Sequence, residues 1–238
     1  MIESILPPYV VSADLTEDPP GAELFPEEEK VVEHVVDKRR REFTTARLCA
    51  RRAMSALGLP PAPVLPGERG APRWPSGVVG SMTHCAGYRG AVLGRSAEVT
   101  TIGIDAEPND VLAEGVLEVI SLPEEREHLR ELARHDRGVR WERLLFSAKE
   151  SVYKAWFPLT GLWLDFEEAM LEFDPERGTF QARLLVPGPH VGGTEIKGFS
   201  GRWLAGNGLV LTAIVVPSPA TMARTTPSGA PGSSLTGS

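Results

Sequence analysis

Apolar positions recur along this chain with two periods, one helical and one extended, and their alternation divides it into elements. Between Val139 and Trp156, the residues Trp141, Leu145, Ala148, Val152 and Trp156 recur at helical spacing and define one buried stripe. Phe43, Ala46, Ala50, Ala53, Met54 and Leu57 form a second such stripe. It closes a helical region that opens at Pro26-Glu27-Glu28-Glu29, where proline and acids suit a first turn. This region runs to Leu57 with room for a break, and Pro60-Pro61-Ala62-Pro63 ends it ahead of a loop rich in proline and glycine that reaches Gly77. Val78–Met82, Gly90–Leu93 and Val99–Ile104 follow as strands. Ser121-Leu122-Pro123-Glu124 carries the Ser-x-x-Glu capping pattern and predicts a helix to about Arg134. Beyond the Val139–Trp156 helix, Ala169–Phe173, Phe180–Val186, Ile196–Leu204 and Leu209–Val216 predict an antiparallel meander, with Gly206-Asn207-Gly208 as a hairpin turn. The order predicts an α+β fold in two comparable halves, residues 1–110 and 111–216, with no internal repeat visible in the residues themselves.

Composition narrows the picture. A chain of 238 residues with 42% hydrophobic residues can bury one large core or two small ones. No run of eighteen apolar residues and no leader pattern stands out, so a cytoplasmic protein that does not enter the membrane is expected. Cys49 and Cys85 lack metal-type spacing and are read as thiols without a catalytic part. The net charge of −7 argues against a general nucleic-acid binder, which needs a basic face. Residues 217–238 are almost entirely Pro, Ser, Thr, Gly and Ala, a composition that cannot bury a core, and are expected to be disordered.

Candidate chemistry concentrates in two stretches. Asp105 and Glu107 end the Val99–Ile104 strand, and side chains two apart on a strand point the same way. Such a pair suits a magnesium ion that carries substrate phosphates; it also suits a turn with two solvated acids. On the long helix, Glu150 shares its side with Phe146, Tyr153, Lys154 and Phe157, which suggests a cleft, while a Glu150–Lys154 surface pair is the plainer alternative. Arg40, Arg47 and Arg51 share one flank of the earlier helix, where arginine forks could bind phosphate or simply face solvent.

These residues carry a family resemblance. Gly103-Ile104-Asp105-Ala106-Glu107 and Phe146-Ser147-Ala148-Lys149-Glu150-Ser151-Val152-Tyr153-Lys154 resemble the two signature motifs of the Sfp-type 4′-phosphopantetheinyl transferases. Arg39 to Arg47, Gly80-Ser81-Met82-Thr83-His84-Cys85 and Trp156-Phe157-Pro158-Leu159-Thr160-Gly161 resemble the branch containing the enterobactin synthetase component D. The resemblance covers about residues 25–216. It implies a monomer of two similar α+β subdomains in a pseudo-twofold arrangement, each a small antiparallel sheet packed with helices, with the active site in the cleft between them.

The implied reaction transfers 4′-phosphopantetheine from coenzyme A to a serine of apo acyl or peptidyl carrier proteins, with Mg2+ or Mn2+, releasing adenosine 3′,5′-bisphosphate. The resemblance implies that Asp105, Glu107, Glu150 and the backbone of Ala106 hold the metal, and that Glu150, Lys154 and Asp105 carry the chemistry. It further assigns Arg39, Arg47, Thr83, His84, Lys149, Lys154 and the loop Pro66-Gly67-Glu68-Arg69 to coenzyme A. Two positions depart from the pattern: Ala106 stands where some members have a third acid, and Pro66 where related sequences have a lysine. Arg40, Arg51 and Arg52 are candidates for contact with an acidic carrier protein. Two rival functions are a different Mg2+-dependent nucleotide or coenzyme A phosphohydrolase and a coenzyme A-binding module without catalysis.

Overall fold

The computed structural model describes residues 1–225. The first half contributes strand β1 (Val10–Leu15), the one-turn helix α1 (Pro26–Glu29) and the long helix α2 (Asp37–Ala56). The short strands β2 (Leu65–Pro66) and β3 (Pro72–Arg73) follow, then β4 (Val78–Cys85), β5 (Tyr88–Arg95) and β6 (Val99–Pro108). Next come helices α3 (Val116–Ile120), α4 (Pro123–His135) and α5 (Trp141–Thr160). Strands β7 (Ala169–Asp174), β8 (Thr179–Leu184), β9 (His190–Val191), β10 (Thr194–Glu195), β11 (Gly198–Gly206) and β12 (Leu209–Pro217) lead to helix α6 (Pro219–Thr225). The fold is α+β with small antiparallel sheets, as the patterning predicts.

Two sheets organise these elements: β1-β5-β4, and the five-stranded β6-β12-β11-β8-β7. Strand β6 precedes the expected division at residue 110, yet it pairs along its length with β12, from Pro108 against Leu209 to Thr101 against Val216. The strand bearing Asp105 and Glu107 is therefore built into the sheet of the second half. Its other edge meets β4 through side chains: the Ile104 and Ala106 N–H groups donate to Ser81 Oγ and Thr83 Oγ1 at 3.1 and 3.2 Å. Hydroxyls thus take the place of ladder carbonyls along the seam between the sheets, which keeps buried N–H groups paired.

Helix α5 covers the larger sheet. Its predicted stripe is buried throughout, and Trp141 meets Trp203 edge-on at 5.3 Å between ring centroids. At Gly103 the helix backbone lies so close to β6 that an added Cβ would fall 2.0 Å from the Ser151 carbonyl oxygen. The helix ends at Gly161, whose φ of 66° is the left-handed cap glycine readily adopts. Asn207 and Gly208 take φ of 52° and 76°, so the predicted hairpin turn has the primed geometry that suits twisted strands.

The break allowed for in the 26–57 helical region is present, as a short 3-10 turn at Lys30–Val32 and an extended Val36 between two helices; several other expectations require correction. The region's first-turn acid Glu28 is wholly buried. The Glu28 carboxylate accepts from the N–H groups of Phe25 and Val64 and from Arg51, locking α1, α2 and the following loop together. The second helix caps one residue later than expected: Pro123 occupies the first helical position, so Leu122 is the cap and Glu125 its partner at 2.8 Å. The Ser121 hydroxyl turns back to Leu117 O instead. Residues 219–225, placed in the disordered tail on composition, form α6, held by Ser218 Oγ bonded to Ala97 O at 2.7 Å and by a buried Thr221. Residues 226–238 lie outside the described residues. Strand β1 and helix α3 have no counterpart in the sequence reading. No helix among the described residues is long and apolar enough to cross a membrane.

Candidate active site

The seam between the sheets is where the candidate residues meet. Asp105 and Glu107 alternate with inward-facing Ile104 and Ala106 on β6 and turn toward α5. Asp105 Oδ1 accepts from Thr83 Oγ1 at 3.0 Å and pairs with Lys154 Nζ at 2.7 Å, while the ammonium also donates to Ile104 O at 3.1 Å. Asp105 Oδ2 is buried and has no hydrogen-bond partner. Glu107 pairs through Oε2 with Arg143 at 3.2 Å.

These acids share one electrostatic environment. Burial, and then the neighbouring Asp105, push the Glu107 carboxyl up to about 7, against the opposing pull of Arg143 and Lys154. Burial likewise raises Glu150, with Lys154 opposing and Asp105 reinforcing the shift. Crowded, partly desolvated carboxylates favour whatever positive charge can reach them. Among the described residues no three His, Cys, Asp or Glu side chains stand close enough together to cage a metal ion. Magnesium seldom needs such a cage: it binds through one or two carboxylates, water and substrate phosphates. A two-carboxylate strand edge with an unpartnered buried oxygen fits that requirement.

A cavity of about 740 Å³ opens beside this cluster, lined by residues 67–74, by β4, and by Glu150, Tyr153, Lys154 and Phe157 of α5. That size suits a single bound cofactor. Arg69, in the left-handed region at φ of 50°, faces the Trp163 ring with its Cζ 5.3 Å from the centroid. Trp163 in turn packs on Tyr153 at 5.0 Å. On β4, His84 follows Thr83 and its Nε2 faces the Arg39 guanidinium, with Glu42 3.7 Å from Nδ1. Burial, and then Arg39, lower the His84 pKa, so the ring is neutral and accepts from Arg39.

Comparison with known proteins bears on what this cluster belongs to. Residues 27–94 match the family model of the 4′-phosphopantetheinyl transferase N-terminal domain, and residues 101–196 that of the 4′-phosphopantetheinyl transferase superfamily. The chain is 58% identical over 234 residues to 4′-phosphopantetheinyl transferase Svp of Streptomyces mobaraensis, across 97% of this chain and 95% of that protein. This chain belongs to the 4′-phosphopantetheinyl transferase family. It is also 49% identical over 224 residues to PptT of Mycobacterium tuberculosis, across 91% of this chain and 98% of that one. Enterobactin synthase component D of Escherichia coli is 34% identical over 129 residues, 52% of this chain and 58% of its own. The expected family and branch likeness are thus present, and the likeness to Svp is the longer and stronger. The second family model begins at residue 101, within the first residues of β6, in keeping with the pairing of β6 to β12.

Within this transferase, the expected site residues divide into three groups. Asp105, Glu107, Glu150, Lys154, Gly67, Glu68 and Arg69 come to the cavity or to the carboxylate cluster beside it. Arg39 and His84 pair with each other on the neighbouring face. The remaining ones are engaged by other groups of the protein. Lys149 is buried, 3% exposed, and its ammonium bonds Glu125 at 2.9 Å, Phe166 O at 2.6 Å and Ala169 O at 2.7 Å, so all three donors hold the fold. Arg47 is buried with its Cζ 3.5 Å from the Phe43 ring centroid and its Nε on Val64 O. Thr83 spends its hydroxyl on Asp105 and the Ala106 N–H. Ala106 directs its methyl into the core, and its N–H is bound to Thr83. Pro66 pairs with Pro72 at the base of the loop. Of the arginines assigned to a carrier, Arg40 bonds Glu29 and Arg51 bonds Glu28 and Glu23 O.

Arg143 and Trp163 are absent from the sequence reading. Arg143 stands seven residues before Glu150 and eleven before Lys154, which is one helix face, so periodicity could have flagged it. Trp163 lies past the helix, and nothing local points it back at Tyr153.

Proposed function

We propose that this chain moves the 4′-phosphopantetheine arm of coenzyme A onto a serine of apo acyl or peptidyl carrier proteins of fatty-acid, polyketide or nonribosomal-peptide synthases. The proposal includes dependence on Mg2+, with Mn2+ as a substitute, and release of adenosine 3′,5′-bisphosphate by a cytoplasmic monomer. The observation that carries it is the conjunction of Glu150 and Lys154 at the wall of a cofactor-sized cavity, with Asp105 paired to Lys154 behind it, in a chain of this family.

Phosphoryl transfer is governed by positioning and charge neutralisation. The serine oxygen bonds to the phosphorus that bears the pantetheine, the bond from that phosphorus to the adenosine bisphosphate breaks, and the serine proton passes to Glu150. The raised proton affinity of Glu150 suits it to accept that proton near neutral pH. Lys154 and Arg69 both line the cavity and would meet phosphate oxygens there. A divalent cation at Asp105 and Glu107, when bound, would neutralise charge on the leaving pyrophosphate side. Arg39 and His84, a cation and a neutral ring side by side, suit a further phosphate.

The test is intact-mass analysis of an apo carrier protein incubated with this chain, coenzyme A and Mg2+, beside Glu150→Gln and a chelator control. Addition of one phosphopantetheine, lost in both controls, supports the reading. Consumption of coenzyme A with no carrier present would instead favour a phosphohydrolase, and binding without turnover a non-catalytic module.

A further inference from the structure

Two cations of α5 grip the strand that carries the paired acids. Near the end of the helix, Lys154 holds Asp105 and Ile104 O. Near its start, Arg143 spreads all three guanidinium nitrogens over the end of β6 and the turn beyond. Nη1 meets Glu107 Oε2 at 3.2 Å, Nε donates to Asp110 O at 3.2 Å, and Nη2 donates to Val111 O at 2.8 Å. Glu150 stands between the two cations on the same helix face. The Arg143 side chain is only 19% exposed and the Glu107 side chain 20%, so this is a partly desolvated pair rather than a surface contact.

We propose that Arg143 is a positioning residue for metal binding, fixing Glu107 where it can join Asp105 on a divalent cation. The inference rests on the reading that Asp105 and Glu107 receive that cation. A guanidinium beside a carboxylate has two opposed effects: its charge repels an incoming cation, while its fork fixes where the carboxylate points. The geometry favours the fork. Two of the three bonds go to main-chain carbonyls, which neutralise no acid and serve to fix the strand end against the helix. Arg143 engages Oε2 of Glu107 alone, among the described residues, so Oε1 is available to a ligand. Hydrogen-bonding partners behind a ligating carboxylate usually matter to the metal as well as to the fold.

The two effects predict opposite signs, so one experiment separates them. Mn2+ binding to the free protein, without coenzyme A or carrier, is followed by electron paramagnetic resonance for wild type, Arg143→Ala, Arg143→Lys and Asp105→Ala. Near-ultraviolet circular dichroism establishes that each variant is folded. Positioning predicts that Arg143→Ala weakens Mn2+ binding about 10- to 100-fold, and that Arg143→Lys, which keeps the charge but not the fork, also weakens it. A charge effect alone predicts tighter binding by Arg143→Ala and no change in Arg143→Lys; either result overturns the inference. Should Arg143→Ala fail to fold, Arg143→Lys decides by itself, since unchanged affinity refutes positioning. Unchanged binding by Asp105→Ala would refute the metal-site reading beneath it, a failure distinguishable from that of Arg143.

Discussion

Gly103→Ala tests how packing sets the active site. The added Cβ would lie 2.0 Å from Ser151 O, 2.8 Å from Ala155 N and 3.0 Å from Ala155 Cβ. Two of these three neighbours are backbone atoms and cannot rotate aside. Because real Cβ contacts essentially never fall below 3.0 Å, α5 must retreat from β6 by about 1 Å at this turn. Ser151 adjoins Glu150 and Ala155 adjoins Lys154, so the same displacement stretches the 2.7 Å Lys154–Asp105 pair. It also stretches the buried bonds of Thr101 Oγ1 to Ala155 O at 2.8 Å and of Ser151 Oγ to Thr212 Oγ1 at 2.7 Å. Overpacking costs about 1–3 kcal/mol, and each weakened hydrogen bond about 1 kcal/mol more. A total of about 3–5 kcal/mol lowers the thermal midpoint of a chain this size by about 6–20 °C. An error of about 1 Å in the relative placement of reacting groups costs on the order of 100-fold in rate. Thermal melts by circular dichroism and kcat/KM for carrier modification, measured well below the variant's midpoint, check both quantities. A Gly103→Ala protein with the wild-type midpoint and wild-type kcat/KM would refute the argument that this contact sets the register of Glu150 and Lys154 against Asp105.

Further outcomes follow from the same geometry. Lys149→Ala leaves Glu125 buried without its cation, at a cost of about 3–5 kcal/mol, and leaves the KM for coenzyme A unchanged; a raised KM at unchanged stability would return Lys149 to the phosphates. Thr83→Val removes the donor to Asp105 and orphans the Ala106 N–H, lowering stability in urea by about 1–3 kcal/mol, whereas Thr83→Ser stays near wild type. Glu107 is raised from an ordinary 4.5 to about 7. Between those values the folded protein keeps a proton that the unfolded chain has lost. The stability present below pH 4.5 is therefore lost as pH rises toward 7. Glu107→Gln abolishes that dependence, and its stability relative to wild type improves between pH 5 and pH 8 by roughly 2–3 kcal/mol at most, read from urea midpoints.

Local chemistry alone determined a good deal of this protein. The α5 stripe and the Asn207-Gly208 turn are legible because helix periodicity and primed turns depend on residues within a few positions of one another. The two motifs also name the acids and the family, since Asp105 and Glu107 share a strand face whatever the strand pairs with. Partners distant in sequence are another matter. Lys149 and Glu150 are neighbours about 100° apart on a helix, and only the placement of α4 and of residues 166–169 decides that Lys149 is buried against Glu125 while Glu150 lines the cavity. Alternation on β6 gives its two faces but not its neighbours, so its membership in the β12 sheet and its hydroxyl seam with β4 were settled in three dimensions. Glu28 and Arg51, an acid of a first turn and an arginine of a helix flank by local pattern, became an internal pair because the fold closed over them. Arg143 shows the division within a single side chain. Its helix face follows from spacing, while its three bonds to β6 and the following turn exist only because the chain returns to that place.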